Sequence, residues 1–128
     1  MIREQKLSTY GKYFLEFYTK LDKALQEKID CVFELVKTVD FIPKKYFQHL
    51  ENTEGLFEIR IEFESNIYRI FCFFDEGNMV ILINAFQKKT QKTLKSEIEL
   101  SKKLKKQYFI DKKLNAENEK RKGNQIKK

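Results

Sequence analysis

The chain has 128 residues, of which 41% are hydrophobic and 14% aromatic, a composition that excludes wholesale disorder and leaves little room for a second domain. Its formal charge of +7 is unevenly spread: residues 1–101 carry 15 Lys or Arg against 16 Asp or Glu, a net −1, and residues 102–128 carry 11 against 3, a net +8. The excess belongs to the C-terminal end, so total charge by itself is weak evidence for a polyanion partner.

Residues 2–8 read as a short edge strand. From there Tyr13, Phe14, Phe17, Tyr18 and Leu21 recur at helical spacing, and Asp22 follows as the N-cap of a second helix. In that helix Leu25, Ile29, Val32, Phe33 and Val36 form one stripe. The single proline, Pro43, closes the helical region, and a loop from Asp40 to Gly55 holds the single histidine, His49, as a structural residue rather than a general base.

Between residues 57 and 63 the pattern alternates strictly, with Phe57, Ile59, Ile61 and Phe63 on one face and Glu58, Arg60 and Glu62 on the other. A turn at Glu64-Ser65-Asn66, a strand from Ile67 to Phe74, a turn at Asp75 to Asn78 and a strand from Met79 to Phe86 complete a three-stranded antiparallel meander. Thr93, or Ser96 with Glu99 as a capping box, opens a last helix carrying Leu94, Ile98, Ser101, Leu104 and Tyr108 on one face. Beyond Phe109 large apolar groups run out. The expected fold class is α+β: a helical hairpin packed on a small antiparallel sheet with a C-terminal helix, in one domain over residues 1–110, followed by a basic, disordered tail over 111–128.

The apolar runs are too short to span a bilayer, and the polar start MIREQKLSTY lacks the apolar stretch of a signal peptide. Cys31 and Cys72 have no Cys or His at metal-ligand spacing and read as reduced thiols in apolar surroundings. The expectation is a cytoplasmic protein with no membrane contact, metal or cofactor.

Chemistry concentrates on one face of the meander. Two-residue turns at Ser65-Asn66 and Glu76-Gly77 would set Glu62 against Arg69, Arg60 against Phe71 and Arg69 against Asn84, with Leu82 and Phe86 on the same side. Phe57, Ile59, Ile61, Phe63, Tyr68, Ile70, Cys72 and Phe74 then form the opposite, core face. Two of the four arginines thus share one face, and the last strand runs into Gln87-Lys88-Lys89-Thr90-Gln91-Lys92-Thr93. A basic, aromatic-lined concavity of this kind suits phosphates and bases. The competing reading is a solvated sheet face on which Arg60 and Arg69 simply pair with Glu58 and Glu62.

The runs Leu56-Phe57-Glu58-Ile59-Arg60, Tyr68-Arg69-Ile70-Phe71-Cys72-Phe73-Phe74 and Ala85-Phe86-Gln87-Lys88-Lys89-Thr90-Gln91-Lys92-Thr93 resemble the HigB-type branch of the RelE/ParE toxin superfamily, over residues 1–109. The resemblance implies a RelE-like fold and the toxin of a type II toxin-antitoxin pair, which enters the ribosomal A site and cuts translated mRNA without a metal. In that chemistry a ribose 2′-OH attacks its own 3′ phosphate. It also implies a helix-turn-helix, HigA-like antitoxin as partner, beside the ribosome and mRNA. Carried onto this chain, Arg60, Arg69, Lys88 and Lys89 form the catalytic set, and Phe71, Phe86, Gln91, Lys92 and Thr93 contact RNA. Some relatives place a Tyr or His near the end of the last strand or helix for proton transfer; here the loop offers only Lys, Thr and Gln, so the acid and base stay unassigned. Leu94 stands where close relatives have Pro at the first helical position. A non-catalytic RNA-binding or degenerate toxin domain and a ParE-like gyrase inhibitor are the alternatives.

Overall fold

Residues 5–38 and 42–126 are described by the computed structural model, with side chains as far as Lys120. The first element is β1, Lys6–Thr9; residues 2–4 of the expected edge strand lie outside the described residues. Helix α1, Tyr13–Thr19, buries Phe14, and α2, Lys23–Thr38, buries Leu25, Ile29, Val32 and Val36. Asp22 caps α2 as its position implies, because its Oδ1 accepts the Leu25 amide at 3.0 Å and satisfies one of the helix's unpaired first-turn donors.

The segment expected to be loop from Asp40 to Gly55, whose residues 40 and 41 are not among those described, contains a three-residue strand, β2, Phe47–His49. Strands β3, Phe57–Phe63, β4, Asn66–Asp75, and β5, Met79–Gln87, form the expected meander. The sheet nevertheless has five strands, in the order β1-β5-β4-β3-β2, and is mixed, since β1 runs parallel to β5. Both strands beyond the meander lie at the edges: β1 falls at the edge strand expected near the N-terminus, while β2, with three residues, is too short for an alternating pattern to reveal it. Short edges also limit unwanted pairing with other chains.

Turn geometry decides which side chains meet. Glu64 and Ser65 both have positive φ, 49° and 65°, as a type I′ hairpin turn requires. The turn therefore falls one residue earlier than expected. Phe63 pairs with Asn66, Arg60 with Arg69 and Glu58 with Phe71, so each face keeps its residues while the direct partners change by two positions. In the second hairpin Asp75 pairs with Met79 across a three-residue loop, which would reverse the faces of β5. A bulge at Ile83 reverses them again: Cys72 pairs with Leu82, but Phe71 pairs with Asn84 and Arg69 with Phe86. Leu82 consequently belongs to the opposite face from that expected, and Arg69 faces Phe86 rather than Asn84.

Helix α3, Gln91–Ile126, covers the second face of the sheet. It starts ahead of both expected positions because the Thr90 Oγ1 accepts the Thr93 amide at 3.1 Å, displacing the Ser96/Glu99 capping box. It also continues through residues 111–126 of the expected disordered tail; residues 127 and 128 are not described. Asp111 accepts a hydrogen bond from the Tyr10 hydroxyl and Lys112 pairs with Asp75 at 2.9 Å, so the helix is still docked after its apolar pattern ends. At about 1.5 Å per residue, its 36 residues outrun the nine-residue β5, and residues 112–120 are exposed.

Two cores result. Phe14, Leu25, Ile29, Val32 and Val36 pack on Ile59, Ile61, Ile70, Cys72, Val80, Leu82 and Ala85 on one side of the sheet. On the other, Leu50, Leu56, Phe71, Phe73, Ile81, Ile83 and Phe86 pack against Leu94, Ile98, Leu104 and Tyr108. Two expected core residues differ: Cys31 is exposed on α2, and Phe74 keeps 39% of its surface in solvent near the β2 edge, against Phe47 and Phe57. Cys72 is fully buried, and burial pushes its thiol pKa up.

Candidate functional site

The two arginines share a face, as expected, and stand directly opposite each other on β3 and β4. Their surroundings differ from the expected open concavity. Arg69 is only 9% exposed and its Nη1 donates to Oε2 of Glu58, a carboxylate with no exposed surface. This is a buried ion pair, strong only while both partners are present. The pair is incompletely satisfied, since Glu58 Oε1 and Arg69 Nε have no hydrogen-bond partner among the described residues. Arg60 is half-exposed, with its Nη2 3.1 Å from Oε1 of Glu62. The reading in which both arginines pair with glutamates of the same strand face therefore describes their contacts, with one partner deeply buried and the other solvated.

Phe71 and Phe86, expected as RNA contacts, stack edge-to-face with ring centroids 5.1 Å apart inside the α3 core. Their rings are covered, so base stacking on them is unavailable in this conformation. Asn84 is likewise enclosed: its Nδ2 donates to Glu97 at 2.6 Å and to Ser101 Oγ at 3.3 Å, tying β5 to α3.

The cationic loop is open. Lys88 is half-buried, with its amide on the Ile67 carbonyl at 3.0 Å, while Lys89, Gln91 and Lys92 are exposed and Thr93 is half-buried. Among the described residues none of these three lysines forms an ion pair. They surround the start of α3, where unpaired amides and the helix dipole add partial positive charge. Arg60 lies on the same sheet face, across β4 from Phe86 at the end of β5. The structure thus leaves Arg60 and the lysines at the start of α3 as accessible cations at two places on the sheet, separated by β4, and withdraws Arg69, Phe71 and Phe86 into the interior. What this arrangement can do is hold and polarise a phosphate; the described residues around it include no His.

Sequence reasoning named Glu58 as a partner but expected the pair to be solvated, and it missed the burial of that pair, together with two tyrosine clusters in the middle of α3. There the Tyr108 hydroxyl and Lys112 both donate to Asp75, and the Tyr10 hydroxyl and Gln107 donate to Asp111. A signal was present: β4 and β5 are nearly continuous apolar runs, IFCFF and VILI, as befits strands covered on both faces.

No helix among the described residues is long and apolar enough to cross a membrane. No curated protein matches the chain. Residues 16–106 match the family described as phage-derived protein Gp49-like (DUF891). That family is associated with toxin-antitoxin toxins, is generally endoribonuclease-like, and implies an antitoxin partner in general. With most of its length matched, from α1 through the site to the middle of α3, the chain belongs to the Gp49-like family, a RelE/ParE-like toxin-type family.

Proposed function

We propose that the protein is a HigB-type toxin with a RelE-like fold, a ribosome-dependent endoribonuclease that cleaves translated mRNA and is held inactive by a HigA-like antitoxin. The observation that carries this reading is the group of cations Lys88, Lys89 and Lys92 at the entry of α3, without an ion-pair partner among the described residues, at the end of the β5 strand that lies across β4 from Arg60. Attack of a 2′-OH on the neighbouring phosphate builds negative charge on the phosphorane oxygens, and fixed cations stabilise that charge more than they stabilise the substrate. Arg60, Lys88 and Lys89 take this role. Lys92, Gln91 and Thr93 contact the flanking RNA. Arg69 acts as a positioning residue: through Glu58 it fixes the register of β3 against β4 and so the placement of Arg60.

Purified protein added to a translating extract should cut mRNA only while it is being translated. Arg60→Ala should slow cleavage on the order of 100-fold to 1,000-fold while the far-UV spectrum and melting temperature stay those of the parent. Intact mRNA with normal translation would overturn the reading. The burial of Phe71, Phe86 and Arg69 favours a second reading, a domain that binds RNA without cutting it, and RNA affinity with no cleavage on ribosomes would establish it.

A further inference from the structure

A second cationic opening lies at the sheet edge where β2 begins. Lys28 of α2, Lys45 and Tyr46 ahead of β2, and Arg60 and Glu62 of β3 line a cavity of about 190 Å³. Backbone pairing fixes its floor, since the Arg60 amide donates to the Tyr46 carbonyl at 2.8 Å. Lys45 Nζ stands 4.8 Å from the Tyr46 ring centroid, a cation-π contact that holds the ammonium at the rim.

Three cations meet one carboxylate here, and Glu62 is spent on Arg60. Among the described residues neither Lys28 nor Lys45 has an ion-pair partner. Arg60 Nε is shielded from solvent and likewise lacks an acceptor, so the guanidinium is only partly satisfied by Glu62. A guanidinium with two ammonium groups around a small concave opening is a phosphate-binding arrangement.

We infer that this pocket holds a backbone phosphate of single-stranded RNA, so that the RNA spans from the β2 edge, through Arg60, to the lysines at the start of α3. The inference rests on the proposed RNA-directed activity and extends it to residues of α2 and the β2 edge. Arg60 is shared between the two places. Arg60 and the β5 terminus are two strand spacings apart, roughly 10 Å, so Lys28 and Lys45 serve a phosphate distinct from the one met by Lys88 and Lys89.

The test is fluorescence anisotropy of a labelled single-stranded RNA oligonucleotide with the purified full chain, over a series of salt concentrations. The double variant Lys28→Ala/Lys45→Ala should bind on the order of tenfold more weakly, with a log–log salt slope shallower by about 1. The double variant Lys20→Ala/Lys23→Ala removes the same charge from exposed positions outside the pocket and should leave affinity and slope unchanged. Glu62→Gln should tighten binding, whereas Glu27→Gln, beside Lys28 in sequence but not lining the opening, should not. Displacement of the RNA by inorganic phosphate at constant ionic strength, in the parent but not in the Lys28/Lys45 variant, would show that the pocket takes the phosphate group itself. Equal losses in the two lysine double variants would overturn the inference in favour of diffuse attraction. RNA binding unchanged in the Lys28/Lys45 variant, with binding of a polyglutamate probe lost, would overturn it in favour of a protein carboxylate. Cleavage in the translating extract is scored separately: a protein that binds as described but never cuts defeats the proposed activity alone, and one that cuts equally well with Lys28 and Lys45 removed, at unchanged RNA affinity, defeats the pocket alone.

Discussion

Removing Arg69 would strand the Glu58 carboxylate, which has no exposed surface and no second partner among the described residues. Breaking a buried pair from one side costs about 3–5 kcal/mol, because the remaining charge stays desolvated and unpaired. Arg69→Ala should therefore lower the urea midpoint sharply, and any loss of toxicity would follow from the loss of fold. Replacing both partners with apolar groups of similar volume, Glu58→Leu with Arg69→Met, should recover most of that stability. A double variant as unstable as Arg69→Ala would show that the pair is held by more than its own charges. Ile61, fully buried on the opposite face, gives the comparison: Ile61→Ala should cost about 2–5 kcal/mol by leaving a cavity, and no change at Arg69 should rescue it.

At the scale of elements, the middle of α3 is held by two tyrosine-carboxylate contacts whose strength depends on pH. Burial pushes the Asp75 carboxyl up, but Lys112, the Tyr108 hydroxyl and the Glu76 amide together hold it below the ordinary value. Hydrogen bonds from Tyr10 and Gln107 lower Asp111. The tyrosines move the other way: the bond to Asp111, with burial, pushes Tyr10 up to about 12, and burial with the bond to Asp75 pushes Tyr108 up to about 12. A carboxylate with a depressed pKa stabilises the folded state above its unfolded value, and that contribution is lost as pH falls through the folded one. A phenol with a raised pKa contributes below its unfolded value of about 10, and the contribution is lost as pH rises toward 12. Docking of α3 should hold between these limits and weaken on both sides. Melting temperature against pH should show both flanks. Asp75→Asn with Asp111→Asn should lower the plateau and flatten the acid flank, and an unchanged acid flank would place the sensitivity elsewhere.

For the whole molecule, the basic excess is carried by a helix that leaves the sheet. Residues 114–128 contain five Lys or Arg and two Glu, and the last described side-chain contacts to the body are those of Asp111 and Lys112. Deleting 114–128 should leave the melting temperature nearly unchanged while weakening RNA or ribosome binding and flattening its salt dependence. Deleting 108–128 removes Tyr108, Asp111 and Lys112 as well and should lower the melting temperature. If the shorter deletion also destabilises the protein, the projecting helix packs on the body more closely than these contacts indicate.

The sequence by itself determined the helical hairpin, the Asp22 cap, the three long strands and the side of the sheet on which Arg60 and Arg69 project, because each follows from a local period of 3.6 or 2. It also made the cationic loop before α3 visible as a run of lysines with no carboxylate among them. What only the tertiary structure decided depends on non-local packing. The edge strand near the N-terminus was legible, but its parallel pairing with β5 was not, and β2 is recruited by the unpaired backbone of β3, which a strand of three residues does not announce in its own pattern. The three-residue turn before Met79 sets Leu82 against the helical hairpin and the bulge at Ile83 returns Asn84 to the α3 face, each a matter of one residue that no alternation encodes. Above all, α3 closes over the face that an isolated meander would leave in water. That cover turns Glu58 and Arg69 from a solvated pair into a buried one and takes Phe71 and Phe86 out of reach, while Arg60 and the lysines stay accessible because they lie at the sheet edge and at the helix entry, where the cover ends.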